Sequence, residues 1–319
     1  MRNSLFSKDG VVTLDVVNDF AKNNPKELIL LCEEYYQNQV DTAVSNVINK
    51  NGADIVLLAG PSGSGKTTTA KKLSEGFIKN GKHAVYISLD DFFVNREDLP
   101  KLANGKTDFE SVNTLDIKEI RNCFLNLLSG KEAVVPSFDF VSGKRDVNKA
   151  QKIKIEKNDI VIVEGLHALN PQLTDGISLD NSGFYKLFVN PESQISLVGG
   201  KPVLKRRSLR LMRRMIRDYY FRGSTPSNTL NMWQGVCDEE NKSIIPFKST
   251  ADFLIDTAHF YEPCVYHNYL LPIINKEKAE NKHHEEILNS LAEKLELFYD
   301  LEMTIIPKNS MIREFVGKA

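Results

Sequence analysis

From Asp54 onward, short apolar runs alternate with longer stretches of helical periodicity. The runs are rich in Val, Ile and Leu and have the length of buried strands. Regular alternation of strand and helix predicts crossover connections, and hence an α/β fold with a mostly parallel sheet. The predicted strands are Ile55 to Ala59, Ala84 to Leu89, Ile160 to Val163, Tyr185 to Val189 and Phe253 to Ile255.

Two of the predicted strands, Ile55 to Ala59 and Ile160 to Val163, are apolar at every position. Such continuous hydrophobicity is typical of central strands that are covered on both faces. The pattern therefore predicts a doubly wound sheet with helices on both sides.

The two ends of the chain carry different patterns. The first fifty residues predict amphipathic helices packed on the rest of the domain, and a further helix is predicted at His284 to Tyr299. The run Met303 to Ile306 is predicted as a late edge strand.

Because no repeat or linker interrupts the chain, we expect one domain at 51–319, with a core at 54–257, a C-terminal completion at 258–319 and a helical lead at 1–50. The apolar stripe of that lead comprises Leu28, Leu31, Tyr35, Val40, Val44, Val47 and Ile48.

Composition narrows the class of protein. Hydrophobic residues make up 41% and charged residues 26% of the chain, as in ordinary globular proteins. A net charge of -1 argues against nucleic acid or acidic membrane as a partner.

No apolar run approaches the roughly 20 residues of a membrane span, and Met1 to Gly10 does not resemble a secretory leader, so a cytosolic location is expected. Reduced, buried thiols are expected at the widely spaced Cys32, Cys123, Cys237 and Cys264.

A glycine-rich motif comes directly after the first predicted strand. Residues Gly60, Gly65, Lys66 and Thr67 have the spacing of a P-loop, and a helical pattern from Thr67 to Phe77 comes next. Backbone N–H groups of such a loop and the helix N-terminus bind phosphates, while the lysine neutralises charge and the Thr67 hydroxyl ligates Mg²⁺. The motif predicts nucleoside triphosphate binding by Gly60, Ser62, Gly63, Ser64, Gly65, Lys66, Thr67 and Thr68.

Carboxylates come at the ends of two other predicted strands, as Asp90-Asp91 and as Glu164. The carboxyl ends of parallel strands open at the same edge as the P-loop. One carboxylate could hold the metal ion and another could accept the proton of an attacking hydroxyl. Capping of a neighbouring helix is the structural alternative.

A basic segment runs from Lys201 to Arg222, and Asp218 is its one acidic residue. At helical spacing the arginines share one face, opposite the apolar Met212, Met215, Ile216 and Tyr219. An arginine lid at about 201–223 would place guanidinium groups over phosphate, which they bind bidentately. A solvated face and a nucleic-acid patch are the alternatives. The arginines of this face are Arg210, Arg213, Arg214 and Arg217.

Taken in order, these motifs resemble the uridine kinase and phosphoribulokinase family, and most of all its bacterial-type nucleoside kinases. The resemblance covers about Asp54 to Thr257. It rests on the P-loop, Ile87 to Phe93, Asp108 to Ser111, Pro136 to Phe140, Val163 to Asn170, Arg213 to Gly223 and Ile245 to Asp252, and on the ending Ser310 to Gly317. It implies a kinase that uses ATP and Mg²⁺ to phosphorylate a hydroxyl, most of all the 5′-OH of a nucleoside such as uridine or cytidine.

The resemblance also implies residue roles. Asp90 would be the catalytic base, assisted by Lys66 and Arg217, and Glu164 would help to hold Mg²⁺. Arg217 and Arg222 would contact the ATP phosphates. The acceptor would contact Asp90, Phe93, Glu110, Phe138, Asp139, Arg145 and Arg214. Members of the family are often oligomeric, so a homo-oligomer is a further expectation.

Three positions depart from the pyrimidine kinases of this family. Phe138 replaces a tyrosine, Gly143 replaces a base-reading histidine and Ser224 replaces an arginine. Loss of these donors weakens the case for a pyrimidine acceptor. The alternatives are a kinase of another hydroxylated metabolite, such as a sugar phosphate or a pantothenate-like acid, and a non-catalytic ATP-binding regulator. The role of His167 stays open between the site and a structural hydrogen bond.

Overall fold

In a computed structural model of the 319-residue chain, five parallel strands form the central sheet. The structure describes residues 11–50, 54–101, 105, 107–156, 158–177, 183–280 and 283–317, so the sequence prediction for residues 1–10 lies outside it. The sheet contains β2, β3, β8, β9 and β12, in the order β12-β9-β2-β8-β3. Their bounds are Ile55–Ala59, His83–Ser88, Asp159–Glu164, Phe184–Asn190 and Phe253–Asp256, which confirms the five predicted strands within a residue or two at each end.

Side chains of the central strands alternate between two apolar layers. In β2, Val56 and Leu58 pack in one layer, whereas Ile55 and Leu57 pack in the other. All four side chains are fully buried, so both faces of the sheet are covered. This arrangement explains the uninterrupted apolar run in the sequence and confirms the doubly wound sheet.

Helices build the two outer layers. The N-terminal helices α1 and α2 and the P-loop helix α3 lie on one face together with α6, α8 and α9, while α4 lies on the other. Tyr35 of the predicted N-terminal stripe is only half-buried, whereas its neighbour Tyr36, which was not assigned to the stripe, is fully buried. The ten helices are Leu14–Asn23, Pro25–Asn49, Lys66–Lys79, Ile117–Leu128, Pro171–Thr174, Arg206–Arg222, Pro226–Ser243, Glu262–Glu280, Glu285–Glu296 and Arg313–Val316, numbered α1 to α10 in the part of the chain described.

Short strands lie outside the central sheet. One three-stranded sheet has the order β1-β10-β11, and the pairs β4-β7 and β5-β6 are antiparallel. These strands were not predicted because two or three residues give no measurable periodicity. They are Val11–Thr13, Gln194–Ser196, Pro202–Leu204, Ala133–Val135, Gln151–Ile153, Phe138–Asp139 and Lys144–Arg145.

The C-terminal segment corrects one prediction. Met303–Ile305 forms a 3₁₀ turn, so the predicted edge strand at Met303 to Ile306 is wrong. Met303 and Ile306 are buried, and their apolar character reflects packing against the helical layer and not strand pairing. No helix within the described ranges is both long and apolar enough to cross a bilayer.

Candidate active site

The P-loop connects β2 to α3 at the carboxyl edge of the sheet. Gly60 directly follows β2. A Cβ atom on Gly60 would lie 2.2 Å from the Val189 carbonyl oxygen, so only glycine fits there. Gly65 caps α3 at φ 90°, in the left-handed region that favours glycine. Residues 62–67 line a cleft of about 290 Å³. The motif thus has the strand, loop and helix context that phosphate binding requires.

Asp90 and Glu164 reach the same cleft from neighbouring strands. Glu164 is the last residue of β8 and lies opposite Ser88, the last residue of β3. Asp90 comes two residues later in a 3₁₀ turn, Leu89–Phe92, where its backbone N–H donates to Ser88 Oγ at 3.2 Å. The parallel register therefore brings both carboxylates to the P-loop edge, together with Lys66 and Thr67.

The two carboxyl groups have perturbed acidity. Burial raises the pKa of Glu164; Lys66 opposes this shift, and its Nζ lies 3.8 Å from Glu164 Oε1. The Tyr86 hydroxyl also donates to Glu164 Oε2 at 2.9 Å. Although solvent reaches the Asp90 side chain in the open cleft, the surrounding protein desolvates its carboxylate and raises its pKa, again against Lys66. The cleft thus holds carboxylates that extra positive charge would stabilise.

The residues present fit a magnesium ion. Thr67 offers a hydroxyl and Glu164 a buried carboxylate, and oxygen ligands of this kind suit Mg²⁺. The described residues contain no cluster of three His, Cys, Asp or Glu side chains that could hold a metal ion. A sparse protein ligand set is typical of Mg²⁺ sites that share the ion with substrate phosphates and water.

The C-terminal half of α6 supplies cations to the cleft. Arg214, Arg217 and Arg222 all line it. Each contacts the carboxylate of Asp218, at 3.2, 3.1 and 3.7 Å respectively. Asp218 was not predicted as a site residue, although its position four residues after Arg214 and four before Arg222 is a helical pairing signal. One buried acid thus holds three cationic side chains together beside the P-loop.

Arg210 and Arg213 correct the predicted arginine face. Both are buried, and their guanidinium groups form ion pairs with Glu240 and Glu262, each at 2.6 Å. Because Met212, Met215 and Ile216 are buried as well, α6 is enclosed on both sides for most of its length. The prediction that all four arginines face an anion is therefore wrong for Arg210 and Arg213. The middle of the helix is a core element, and only its first and last turns are open to solvent.

Aromatic residues and Glu110 form a second part of the cleft lining, which we call the aromatic wall. Phe93, Phe109 and Phe140 line the cleft together with Glu110. Phe138 does not line it but packs behind, with its ring 5.6 Å from Phe93 and 5.1 Å from Phe140. Burial raises the pKa of Glu110, and Arg214 opposes that shift.

His167 supports the wall from behind. Its Nε2 lies 2.7 Å from the Glu110 carbonyl oxygen, and burial lowers its pKa. A neutral imidazole with Nε2–H as donor satisfies this contact. The sequence left the role of His167 open between the site and a structural hydrogen bond. The observed contact is a structural hydrogen bond to the backbone of Glu110.

Two residues expected at the acceptor lie away from the cleft. Asp139 accepts backbone hydrogen bonds from Val141 and Ser142 inside its own turn, at 3.0 and 3.2 Å. Arg145 donates to the carbonyl oxygens of Phe93 and Phe92 at 2.9 and 3.1 Å and pairs with Glu119. In this structure the two side chains hold the hairpin and the turn after β3.

Glu314, on α10, lines the cleft and was not predicted as a site residue, although it lies in the ending Ser310 to Gly317 that carries part of the resemblance. Its carboxylate Oε2 accepts from the Thr68 backbone N–H at 3.0 Å and from the Thr68 hydroxyl at 2.8 Å. Thr68 was predicted to contact ATP, and both of its polar groups are held here by the protein itself. Only the tertiary fold reveals this contact, because the two residues are 246 positions apart.

Comparisons with known proteins agree with this geometry. The sequence model of the phosphoribulokinase / uridine kinase family matches residues 55–197. A uridine kinase from Saccharomyces cerevisiae is 28% identical over 237 residues, which are 73% of this chain but only 42% of the yeast protein. A uridine kinase from Halobacterium salinarum is 25% identical over 199 residues, covering 62% of this chain and 77% of that protein.

Solved structures support the fold. The chain superposes on a candidate fructose transport system kinase from Silicibacter sp. TM1040 with a TM-score of 0.50 and 17% identity, covering 67% of this chain and 98% of that one. At this identity the similarity speaks for the fold alone. The sequence matches support the predicted resemblance: over residues 55–197 the chain is similar to the phosphoribulokinase / uridine kinase family, and its similarity to curated uridine kinases supports a phosphotransferase with an alcohol group as acceptor.

Proposed function

We propose that this chain uses ATP and Mg²⁺ to phosphorylate the 5′-hydroxyl of a nucleoside of the uridine or cytidine type. The observation that carries the proposal is the meeting of Asp90 with Lys66 and Glu164 in one cleft at the P-loop. A nucleotide-binding module without catalysis needs no carboxylate facing the acceptor. The nucleoside itself is suggested by the similarity to curated uridine kinases.

In the proposed mechanism Asp90 accepts the proton of the attacking hydroxyl. Its raised pKa makes the carboxylate a stronger base than an ordinary aspartate. Lys66, Arg217 and Arg222 offset the negative charge that spreads over the transferred phosphoryl group. Thr67 and Glu164 would hold Mg²⁺, which supplies further positive charge to the phosphates when bound.

The acceptor would lie between Asp90 and the aromatic wall. Glu110 would accept hydrogen bonds from sugar hydroxyls, and Arg214, which lines the same cleft, is close enough to oppose the rise of the Glu110 pKa. Phe93, Phe109 and Phe140 offer faces and edges against which a planar base can pack. This arrangement fits a flat, hydroxylated molecule.

A kinase of another hydroxylated metabolite is the second candidate. It is favoured by the lack of base-reading donors at Phe138 and Gly143 and by the structural engagement of Asp139 and Arg145. Among the cleft residues expected near the acceptor, Phe93 is apolar and Glu110 is acidic, so Arg214 is the side chain that would pair with the anionic group of a sugar phosphate or of a pantothenate-like acid.

An acceptor panel tests the two candidates. ADP release and product mass would be measured with ATP, Mg²⁺ and each of uridine, cytidine, adenosine, a pentose phosphate and pantothenate. We expect turnover with uridine or cytidine and a product heavier by one phosphoryl group. Turnover with a non-nucleoside alone would establish the second candidate. ADP release that no acceptor changes would refute both and favour a regulatory ATP-binding protein.

We also propose a cytoplasmic location, a single kinase domain over 51–319 with 1–50 as its helical lead, and a homo-oligomer. The four cysteines are free and buried, as suits a reducing compartment. The expected partner is the small-molecule acceptor, without nucleic acid or membrane. Light scattering after size exclusion measures the oligomer directly.

A further inference from the structure

The outward side of the P-loop is held by three buried side chains. Arg210 Nη1 donates to the Ser62 carbonyl oxygen at 3.1 Å, and Arg213 Nη1 donates to the Gly63 carbonyl oxygen at 3.1 Å. The Thr257 hydroxyl donates to the Ser64 carbonyl oxygen at 2.6 Å. Three consecutive carbonyl groups of the loop therefore each receive a side-chain hydrogen bond from another element.

These donors are fixed on the side away from the cleft. Arg213 and Thr257 are 0% exposed and Arg210 is 1% exposed. Arg213 and Thr257 are also linked to each other, because Arg213 Nη2 donates to the Thr257 carbonyl oxygen at 2.7 Å. Thr257 comes directly after β12, so the central sheet itself anchors one end of the arrangement.

The positive charge of each arginine is balanced by a buried glutamate. Arg210 pairs with Glu240 and Arg213 with Glu262, each through a buried contact of 2.6 Å. A buried ion pair gives little net stability compared with apolar residues of similar size. What these guanidinium groups add is a donor of fixed direction, since Arg presents a rigid fork.

The contact between α6 and the loop is also tight. At Gly63, where φ is 74°, a Cβ atom would lie 2.9 Å from the Arg210 carbonyl oxygen. The loop therefore has little room to turn its peptide planes. Because a peptide unit is planar, a fixed C=O direction also fixes the N–H of the next residue on the opposite side. Holding the Ser62 and Ser64 carbonyls thus orients the N–H groups of Gly63 and Gly65.

We propose that Arg210, Arg213 and Thr257 are positioning residues that preorganise the P-loop for phosphate. They do not contact the nucleotide; they keep the Gly63 and Gly65 N–H groups aimed at it. This inference rests on the proposed use of ATP and extends it to a residue at 257, outside every phosphate-binding motif of the chain. Without this support, binding would have to order the loop, and that cost would weaken affinity.

Thr257 offers the mildest test. Thr257→Val keeps the side-chain shape but removes the hydroxyl donor, whereas Thr257→Ser keeps the donor. Thr114→Val is the matched control, because the buried Thr114 hydroxyl also donates to a carbonyl oxygen, that of Ser111, at 2.7 Å and away from the P-loop. Affinity for ATP with Mg²⁺, and for ADP, would be measured by calorimetry without any acceptor. Thermal unfolding without nucleotide would report stability separately.

We expect Thr257→Val to weaken nucleotide affinity roughly tenfold, the size of one lost buried hydrogen bond. Thr257→Ser should bind as wild type, and Thr114→Val should lose stability without losing affinity. Equal affinity of Thr257→Val and wild type would overturn the positioning role while leaving the proposed function intact. A wild-type chain that binds no nucleotide would instead overturn the proposed function, and the positioning role with it.

Discussion

The P-loop wall of the cleft rests on regular structure, whereas the aromatic wall is built from short turns and a hairpin with two-residue strands. On the P-loop wall, β2 and α3 fix the loop, and Asp218 gathers the arginines that face it. Behind the aromatic wall, Asp139 and Arg145 contact their own hairpin and its neighbouring turn. Most polar groups on the P-loop side line the cleft, whereas on the aromatic side Glu110 lines it and these two side chains hold the local backbone.

This difference shows how one kinase core can serve different acceptors. The triphosphate is constant, so its site can be made from backbone groups on rigid elements. The acceptor varies, and irregular segments can change side chains without disturbing the sheet. We therefore expect substitutions on the two walls to affect different kinetic parameters.

Replacing the base should have the largest effect. Asp90→Asn keeps the shape of the side chain but removes the proton acceptor, so kcat should fall by about 10²–10⁴-fold while ATP affinity stays near wild type. Asp91→Asn is the matched control, because Asp91 accepts a hydrogen bond from the Phe138 backbone N–H at 3.4 Å and does not line the cleft. Steady-state rates and ATP calorimetry check both variants. Near-normal turnover of Asp90→Asn would refute its role.

The pH dependence should reveal the environment of the same residue. Because the pKa of Asp90 is raised above the ordinary 3.8, its carboxylate takes up a proton as the pH falls through that raised value. The acid limb of kcat/KM should therefore lie above pH 3.8, with about a tenfold loss per pH unit below the midpoint. Protonation of a carboxyl group whose pKa is raised in the folded state does not destabilise that state. The free energy of unfolding, measured at each pH, should therefore not fall together with the rate. A limb at or below pH 3.8 would contradict this assignment.

Two arginines, one lining the cleft and one behind its aromatic wall, provide a matched pair. Arg214→Met removes a cleft cation that donates to Ser62 Oγ at 3.2 Å, so kcat/KM should fall tenfold or more. Arg145→Met removes donors to two backbone carbonyls and should lower the free energy of unfolding by about 1–3 kcal/mol. Urea unfolding and initial rates separate the two outcomes. If Arg145→Met kept full stability but lost acceptor affinity, the hairpin arginine would belong to the site after all.

Glu314→Gln should have the smallest effect. The carboxylate of Glu314 places negative charge at the N-terminus of α3, beside the proposed phosphates, while holding the Thr68 N–H. Glutamine keeps an acceptor without the charge, so ATP should bind about two- to fivefold more tightly and the free protein should lose about 0.3–1 kcal/mol of stability. Calorimetry and thermal unfolding test the pair of changes. Weaker ATP binding would show instead that the carboxylate assists the nucleotide.

The sequence alone predicted those features that local patterns encode. The strands of the central sheet, the P-loop and the strand-end carboxylates are read from apolar runs and from spacing, and all meet where expected. The orientation of Arg213 could not be predicted, because its partner Glu262 is 49 positions away and helical spacing gives only a face. Glu314 was missed for the same reason. The 3₁₀ turn at Met303–Ile305 was misread because a short apolar run does not distinguish a strand from a buried turn.

The contact between Thr68 and Glu314 joins residues that are made at very different times. At typical translation rates, 246 residues correspond to roughly 10–50 seconds of synthesis. During that interval the phosphate loop can emerge from the ribosome while the segment that covers its helix has not yet been made. The Thr68 N–H and hydroxyl therefore lack this partner until almost the whole chain has been made.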